Sequence, residues 1–337
     1  MNCPSLNELP APLTGRFGWP WTEESARLPN DADAAGSLPV ISVITPSYNQ
    51  GNYLEETIRS VLLQGYPKLE YIVMDAGSKD ESLEIIQKYS PWLTYWVSEP
   101  DAGQSDAINR GLSIASGAWA TWINSDDMLC KNALVEQARR FGFDKTTVYL
   151  GNCIYINETG DVLFEHCGRV HNLNDLLKVP TVWRRGGQIV QPEVIFPREL
   201  VLSVGGLNRD NHYTMDYELW GMLLLRGATF QYTHIPFGTF REHPAQKTRD
   251  PDRVTQSLLE TAAKLIGLSE TFSSEAKQDF LTDLYAYRLK YERESWRGTG
   301  RLARFGLPRG IVTQLRNLKT GLQKRTRTDS KKICSAN

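Results

Sequence analysis

The stretch Leu38-Pro-Val-Ile-Ser-Val-Ile-Thr-Pro-Ser-Tyr-Asn-Gln-Gly51 decides the fold of this chain. Its first half, residues 38–44, is a continuous and mostly β-branched apolar run, the composition of a strand buried on both faces of a parallel sheet. Its second half, residues 45–51, contains Pro, Asn and Gly and is typical of a loop. The stretch therefore predicts a buried parallel strand that ends in a polar loop.

The same order of strand, loop and helix recurs through the first 140 residues. Asn52 is predicted to cap the first helix. Further strands are predicted at residues 69–74, 94–97 and 118–123, with helices at 80–89, 104–117 and 132–141. This alternation predicts right-handed βαβ crossovers and an α/β fold with a doubly wound, mostly parallel sheet flanked by helices.

Several polar residues directly follow the predicted strands. They are Thr45, Asn49, Asp75, Asp126 and Asp127. In doubly wound sheets, ligands bind at the carboxyl ends of the strands. We therefore expect all of these residues on one rim of the sheet.

The second half of the chain is less regular. Its predicted elements are a hairpin at residues 148–155 and 162–164, strands at 188–196 and 230–236, and helices near 199 and at 215–226, 253–266 and 274–293. We divide the chain into an irregular N-terminal leader (1–37), one α/β domain (38–248), a helical extension (249–296) and a basic tail (297–337).

The overall composition is that of an ordinary globular protein. Of the 337 residues, 41% are hydrophobic and 23% are charged. No run approaches the roughly eighteen apolar residues of a membrane span, and the N-terminus lacks a signal-peptide pattern. The five cysteines are odd in number and widely spaced, without a Cys-x-x-Cys pair. These features favour a reducing cytoplasm over a disulfide framework or a zinc site.

Charge is distributed unevenly along the chain. The formal net charge is −1, but residues 297–337 carry eleven Lys or Arg and one acidic residue, Asp329. A basic tail on an acidic body is typical of a peripheral, anionic partner such as membrane lipid or nucleic acid. We expect an anionic membrane surface on the inner face of the membrane rather than nucleic acid. A solvated tail without a partner would explain the same charges.

Two adjacent carboxylates, Asp126 and Asp127, stand at the end of the apolar run at residues 118–123. They repel each other, and packing gives no reason for either. A divalent cation would remove the repulsion, because Mg²⁺ and Mn²⁺ take oxygen ligands and usually bridge to substrate phosphates. The pair predicts a metal and phosphate site on the rim, and the alternative is a capped turn.

Six motifs resemble those of family 2 glycosyltransferases, which have the GT-A fold. In chain order they are Val-Ile-Thr-Pro-Ser-Tyr-Asn (43–49), Val-Met-Asp-Ala-Gly-Ser-Lys-Asp (73–80), Asp-Ala-Gly-Gln-Ser-Asp-Ala-Ile-Asn-Arg-Gly (101–111), Ile-Asn-Ser-Asp-Asp (123–127), Met-Asp-Tyr-Glu-Leu-Trp (215–220) and Phe-Arg-Glu-His-Pro-Ala-Gln (240–246). One such motif would be weak support, whereas six in the family's order are specific. The resemblance implies a GT-A domain with a nucleotide-binding half (38–147) and an acceptor half (148–248).

The resemblance also implies which residues contact the nucleotide. They are Thr45, Pro46, Asn49, Asp75, Asp106, Ser125 and Asp126. Asp75 would contact the uracil. The residues themselves leave other readings open, because Asp75 can cap a helix and Asp106 stands in a first helical turn, where the dipole favours an acid.

A metal centre is implied as well, with Mn²⁺ or Mg²⁺ as the cofactor. Its ligands would be Asp126, Asp127 and His243. Asn124 stands where the usual motif has an acid, which leaves the direct carboxylate ligand open between Asp126 and Asp127. We favour Asp126, with Asp127 close to the cation or the ribose. His243 could equally be a structural histidine.

Asp216 resembles the family's catalytic base, which accepts the proton of the attacking hydroxyl. Its alternative role is a helix N-cap. Glu218 is a second candidate, but the two side chains point about 200° apart on a helix, so both cannot face one substrate. Weaker expected contacts to phosphate or acceptor are Arg241, Lys247 and Gln191.

The resemblance implies a metal-dependent, inverting hexosyl transfer from a nucleotide diphosphate sugar, with UDP as the expected nucleotide. The acceptor would be a glycan or a lipid-linked glycan in surface polysaccharide biosynthesis. A sugar-1-phosphate nucleotidyltransferase is the first alternative, but it needs a Gly-rich, basic phosphate loop after the first strand, where this chain has residues 45–49. The second alternative is a non-catalytic carbohydrate-binding protein of the same fold.

Overall fold

The computed structural model describes residues 3–12, 14–28, 38–140 and 144–299. The chain divides into two units, Met1–Leu268 and Ser269–Asn337. The strands of the first unit are β1 (Ile41–Ser47), β2 (Leu69–Asp75), β3 (Tyr95–Ser98), β4 (Trp119–Trp122), β5 (Met128–Leu129), β6 (Thr147–Ile156), β7 (Val162–His166), β8 (Val194–Pro197) and β9 (Thr229–Arg241). Its helices are α1 (Gly51–Leu62), α2 (Ser82–Tyr89), α3 (Gln104–Ile114), α4 (Ala133–Ala138), α5 (Leu173–Leu177), α6 (Arg198–Ser203), α7 (Met215–Leu225) and α8 (Pro251–Leu268). In the second unit, α9 spans Ser274–Thr299.

The described strands form one sheet in the order β3-β2-β1-β4-β8-β6-β9-β5, with β7 paired to β6. The first four strands of this order are parallel to one another. β8 runs antiparallel to both of its neighbours, β4 and β6, whereas β6 and β9 are parallel. The predicted mostly parallel, GT-A-like α/β sheet is confirmed.

Helices cover both faces of the parallel part of the sheet. Successive β1 side chains point to opposite faces, so each face of β1 packs against a different set of helices. Val43 packs into one buried cluster with Leu54 of α1 and Ile86 of α2. Ile44 faces α3 on the other side, where a Cβ on Gly111 would lie 2.6 Å from its Cγ2 atom. This double coverage explains why β1 is apolar throughout rather than alternating.

Several boundaries differ from those predicted. β1 continues to Ser47, three residues beyond the apolar run, because its last residues still pair with β2. The N-cap of α1 is Gln50, so Asn52 lies inside the helix. The predicted strand at 188–196 is mostly a 3₁₀ turn (Gln191–Glu193) followed by the short β8.

The predicted irregular leader is part of the first unit over residues 3–12 and 14–28. Arg59 of α1 is fully buried and anchors it. The Arg59 guanidinium donates hydrogen bonds to the carbonyl oxygens of Pro10, Pro20 and Trp21 at 2.8–3.1 Å. These bonds satisfy a buried charge and attach the N-terminal segment to α1.

The predicted helical extension (249–296) is divided between the two units. α8 packs against α7 in the first unit, where a Cβ on Gly221 would lie 2.3 Å from a Leu265 methyl group. α9 lies in the second unit. Across the described ranges, no helix combines the length and the apolar character that crossing a membrane requires. From residue 300 onward, the predicted basic tail lies outside the described residues.

Candidate active site

A cavity of about 880 Å³ opens at the carboxyl ends of the parallel strands. This volume is within the usual range for ligand sites. Its lining residues from the first half of the domain include Pro46, Ser47, Gly77, Asp101, Gln104, Ser125 and Asp126, and those from the second half include Tyr155, Gln191, Asp216, Phe240 and Lys247. The strand ends thus meet at one edge, as the alternation of strands and helices predicts.

Asp126 lines this cavity and contacts the buried His243. The Nε2 atom of His243 lies 3.0 Å from Oδ2 of Asp126. The imidazole is buried and packs against the Tyr53 ring, with the ring centroids 4.9 Å apart. Pairing of β5 with β9 brings the two sequence-distant segments together. The contact joins one carboxylate and one imidazole of the predicted metal centre.

Asp127 has different surroundings from its neighbour. Its Oδ1 accepts the backbone N–H of Arg241 at 2.8 Å, and its Oδ2 accepts the Asn124 side-chain amide at 3.2 Å. Burial raises the pKa of Asp127 well above its usual value, and the negative charge of Asp126 adds to this rise. Asn124 supplies an N–H donor that an acid could not. Both carboxylate oxygens of Asp127 thus have partners within the protein, although Asp127 also lines the cavity.

Arg241, whose phosphate contact stays a prediction, is buried. Its guanidinium donates to the carbonyl oxygens of Asp126 and Glu158 at 2.9 and 3.0 Å and forms an ion pair with Glu56 at 2.5 Å. It also lies over the Tyr53 ring. These bonds direct the guanidinium away from the cavity, because a buried charge must be fully paired.

Lys247, the other predicted phosphate contact, does line the cavity. Its ammonium lies 5.7 Å from the centroid of the Tyr213 ring. Desolvation by the cavity walls lowers the pKa of Lys247, and the nearby Asp216 carboxylate opposes this effect. Lys247 and Asp216 therefore face the same space with opposite charges.

Asp216 stands in the first turn of α7 and is half-buried at the cavity. Its Oδ1 accepts the backbone N–H of Tyr217 at 2.8 Å. Burial raises the pKa of Asp216 above its usual value, and backbone hydrogen bonds and the charge of Lys247 offset part of the rise. A raised pKa makes this carboxylate a stronger base.

Glu218, the alternative candidate base, does not reach the cavity. Its carboxylate is buried and accepts hydrogen bonds from Asn208, Asn211 and Lys264 at 2.5–3.2 Å. The two acids lie two residues apart on α7 and therefore on different sides of the helix. Glu218 ties α7 to α8 through Lys264, and its predicted role at the site stays a prediction.

Asp75, predicted to contact uracil, is a buried acceptor within its own loop. Its carboxylate accepts the backbone N–H groups of Gly77 and Ser78 and the hydroxyl groups of Ser78 and Ser98 at 2.5–3.1 Å. Four donors occupy the usual capacity of a carboxylate. Asp75 shapes the loop that brings Ala76 and Gly77 to the cavity.

Two further nucleotide candidates, Thr45 and Asn49, lie behind the rim. Thr45 is buried inside β1 and bonds to the Tyr71 hydroxyl at 3.0 Å, because the strand extends beyond its predicted end. Asn49 has a left-handed backbone, and its side chain accepts the Lys79 backbone N–H at 2.8 Å. It connects two rim loops instead of lining the cavity.

Asp106 also faces away from the cavity, although its neighbours Gly103 and Gln104 line it. Its carboxylate pairs with Arg209 at 2.8 Å and accepts the backbone N–H of Ala102 at 3.2 Å. Asp106 thus holds the loop before α3, and its predicted nucleotide contact stays a prediction.

Pro46, Ser125 and Gln191 lie where the predictions require, on the cavity wall. Gln191 donates to the Trp122 carbonyl oxygen at 2.6 Å and accepts the Asn124 amide at 3.3 Å. Much of its hydrogen-bonding capacity therefore serves the wall itself.

The cavity wall also contains two aromatic side chains that were not among the predicted site residues, Tyr155 and Phe240. They are cross-strand partners on β6 and β9. Their distance of 85 positions along the chain hides this pairing, because nothing local predicts which strands will be neighbours. The long polar-apolar alternation of β9 was the available signal.

Metal fit can be judged from the donor set. Among the described residues, no group of three or more His, Cys, Asp or Glu side chains is arranged to hold a metal ion. Asp126 and His243 offer one oxygen and one nitrogen. Mg²⁺ is commonly held by one or two carboxylates together with waters and substrate phosphates. The pair therefore fits a divalent ion that a diphosphate helps to hold.

Residues 42–186 match the family model described as Glycosyl transferase family 2. An uncharacterized glycosyltransferase of Rickettsia typhi is 27% identical over 217 residues, which cover 62% of this chain and 66% of that protein. An uncharacterized glycosyltransferase of Mycobacterium tuberculosis is 40% identical over 103 residues, or 30% of this chain and 39% of that protein. The chain thus spans about two thirds of the first relative and about two fifths of the second.

Solved structures share the fold. The crystal structure of S. aureus TarS 1–349 in complex with UDP-GlcNAc has a TM-score of 0.57 at 17% identity, covering 78% of this chain and 76% of that chain. Mannosyltransferase PcManGT of Pyrobaculum calidifontis, in complex with GDP-Man and Mn²⁺, has a TM-score of 0.51 at 19% identity, covering 91% and 86%. At such identities the likeness is one of architecture.

Proposed function

We propose that this chain is a family 2 glycosyltransferase, because residues 42–186 match that family model and an uncharacterized glycosyltransferase is 27% identical over 217 residues. In this proposal it transfers a sugar from a nucleotide diphosphate sugar to an acceptor hydroxyl, with inversion at the anomeric carbon. One observation carries the proposal: the half-buried carboxylate of Asp216 lines the same cavity as Asp126, which contacts His243. A base and a site for phosphate charge are the two parts that the reaction needs.

Asp216 performs the proton transfer in this proposal. The acceptor oxygen forms a bond to the anomeric carbon while the bond from that carbon to the diphosphate oxygen breaks on the opposite face. The acceptor proton passes to the Asp216 carboxylate, and the nucleotide diphosphate leaves with the bonding electrons. Burial that raises the pKa of Asp216 brings its basicity closer to the working pH.

Asp126 and His243 would hold Mn²⁺ or Mg²⁺, which when bound supplies electrostatic stabilisation of the diphosphate charge. Arg241 supports this role indirectly, because its guanidinium holds the Asp126 backbone carbonyl. Lys247 is the cavity cation that we assign to the phosphates. Asp127 orients the turn that carries Asp126.

Our proposed donor is a UDP-sugar, and the proposed acceptor is a glycan or lipid-linked glycan of surface polysaccharide biosynthesis. Both rest on the resemblance of the rim motifs, and the structural neighbours carry UDP-GlcNAc in one case and GDP-Man in the other. A panel of UDP-, GDP-, ADP- and dTDP-sugars tests the donor by hydrolysis and by thermal stabilisation. If no sugar nucleotide is hydrolysed or stabilises the protein, the proposed function is wrong.

Asp126→Ala is expected to weaken UDP binding in the presence of Mn²⁺ by about 10–100-fold, the usual effect of disturbing a metal's surroundings. The reason is that the cavity loses its carboxylate ligand next to His243. Calorimetry with Mn²⁺ and with a chelator measures the effect. UDP affinity in chelator should be similar for the variant and the wild type, and an unchanged affinity with Mn²⁺ would remove Asp126 from the metal site.

The basic tail is proposed to bind an anionic membrane surface, because residues 297–337 carry eleven basic residues against one acidic residue. Ending the chain after residue 296 should therefore reduce co-sedimentation with phosphatidylserine vesicles. Neutral phosphatidylcholine vesicles are the control. Equal co-sedimentation of the two chains with the anionic vesicles would contradict the proposal.

A further inference from the structure

Three aromatic side chains form a continuous surface that leads out of the cavity, and we name Tyr155, Phe164 and Phe240 the aromatic platform. The rings of Tyr155 and Phe164 stack with centroids 4.4 Å apart and an interplanar angle of 16°. The ring of Phe240 lies 5.1 Å from that of Tyr155. Tyr155 and Phe240 line the cavity, whereas Phe164 is 51% exposed beside it.

We propose that the aromatic platform binds a neutral sugar unit of the acceptor, which deepens and rests on the proposed function. The C–H groups on one face of a pyranose ring form an apolar surface about the size of an aromatic ring. Its hydroxyl groups point outward from the ring edge and stay hydrated. An exposed ring such as Phe164 offers the apolar face that this geometry requires, and aromatic faces carry the negative potential that attracts C–H groups.

Strand pairing holds the aromatic platform in place. Strand pairing aligns Tyr155 with Phe164 on one side and with Phe240 on the other. The edge of the His166 ring supports Tyr155 from a centroid distance of 6.1 Å. Side chains fixed in this way lose little conformational entropy on binding, so they suit a recognition surface.

Continuity with the cavity identifies the occupant as the acceptor. We assign the ends of strands β1 to β4 and Asp126, which line the cavity, to the donor. Tyr155 and Phe240 line the same cavity from the second half of the domain. A glycan whose terminal hydroxyl reaches Asp216 would continue outward over this wall to Phe164.

Charge around the platform favours a neutral ligand. The hairpin that carries Phe164 also carries Glu158, Asp161 and Glu165. Their carboxylates accept hydrogen bonds from neutral groups: the Tyr53 hydroxyl and the side-chain amides of Asn157 and Asn152. This local negative charge repels anionic lipid headgroups and acidic sugars, and it leaves neutral sugar units as the matching class.

Val162 provides a matched control on the same strand. It is apolar and 69% exposed, but it pairs with Ile156, whereas Phe164 pairs with Tyr155. The partners Tyr155 and Ile156 are successive residues of β6, so they point to opposite faces of the hairpin. Val162, opposite Ile156, therefore belongs to the other face from Phe164. The shift in pairing between these two positions accommodates Leu163. A hairpin that inserted into lipid would use both faces, whereas a sugar on the platform would use that of Phe164.

The test compares Phe164→Ala, Phe164→Tyr and Val162→Ala with the wild type. The probes are chitotetraose, mannotetraose and cellotetraose, titrated in the presence of saturating UDP and Mn²⁺. We expect at least one of them to bind the wild type and to bind Phe164→Ala about 3–10-fold more weakly, the size of an aromatic contact. Phe164→Tyr and Val162→Ala should bind within about twofold of the wild type.

Several results would overturn the proposal: no binding of any of the three oligosaccharides, equal binding by Phe164→Ala, or an equal loss in Val162→Ala. Co-sedimentation with phosphatidylcholine vesicles that both alanine variants reduce would assign the hairpin to lipid instead. Hydrolysis of sugar nucleotides is measured in parallel. Its absence contradicts the proposed transferase, while Phe164-dependent oligosaccharide binding would still uphold the platform.

Discussion

Asp216→Asn is expected to lower the rate of sugar transfer by about 10²–10⁴-fold, the usual contribution of a general base. The amide has the shape of the carboxylate but cannot take the acceptor proton. UDP affinity should stay within about twofold of the wild type, because the Asp126–His243 pair and the strand ends are unchanged. Transfer is measured with a donor identified by the sugar-nucleotide panel, and UDP affinity is measured by calorimetry.

The pH dependence of the transfer rate tests independently whether Asp216 is the base. Asp216 must be ionised to accept a proton, so the rate should rise as the pH rises through its pKa. Burial raises the pKa of Asp216, so this rise should occur above the usual value of about 3.9. The residual activity of Asp216→Asn should lack this rise.

Glu218→Gln is the matched control on the same helix. It should keep near-normal transfer, because Glu218 bonds to Asn208, Asn211 and Lys264 away from the cavity. Glu218→Gln should instead lower the free energy of unfolding by about 1–3 kcal/mol, because it disrupts a buried hydrogen-bond network. A large loss of transfer in Glu218→Gln, together with normal transfer in Asp216→Asn, would reverse the assignment.

Arg241→Met is expected to lower the free energy of unfolding by about 3–5 kcal/mol, the cost of breaking a buried ion pair from one side. The methionine would fill part of the space but leave Glu56 and the carbonyl oxygens of Asp126 and Glu158 without their donor. Urea denaturation followed by fluorescence measures the change. UDP binding should also weaken, because the Asp126 backbone loses its anchor.

Lys247→Met is the matched control for Arg241→Met, because both residues were predicted to contact phosphate. Lys247 lines the cavity with an exposed side chain, so its replacement should change the free energy of unfolding by less than about 0.5 kcal/mol. UDP affinity should nevertheless fall, because a cavity cation is lost. If Arg241→Met left stability unchanged and reduced only UDP affinity, this result would support the predicted phosphate contact of Arg241.

Local patterns predicted most elements of the first half of the chain. The continuous apolar run ending at Ile44 predicted β1, and helical periodicity predicted α1 and α3 within a few residues. The ends were less predictable. β1 extends to Ser47 because β2 offers partners for its polar residues, and pairing with another strand is invisible in a short window. This extension moved Thr45 from the rim into the strand.

The residues of the site were also only partly predictable from local sequence. Asp216 and Asp126 were predicted from motifs, and both line the cavity. Asp75 and Arg241 were predicted to bind ligand, yet each is occupied by several internal partners. A motif identifies residue types that chemistry could use. Which donors and acceptors are already satisfied depends on neighbours that arrive from other parts of the chain.

By itself the sequence determined the alternation of strands and helices, the parallel sheet and the acids at its carboxyl edge, because these depend on local periodicity and strand direction. Only the tertiary structure shows that Asp126 and Asp127 have different surroundings. Pairing of β5 with β9 brings His243 to the first carboxylate and the Arg241 backbone to the second. Adjacent residues with the same side chain differ here because hydrogen bonds between distant segments give each its own surroundings.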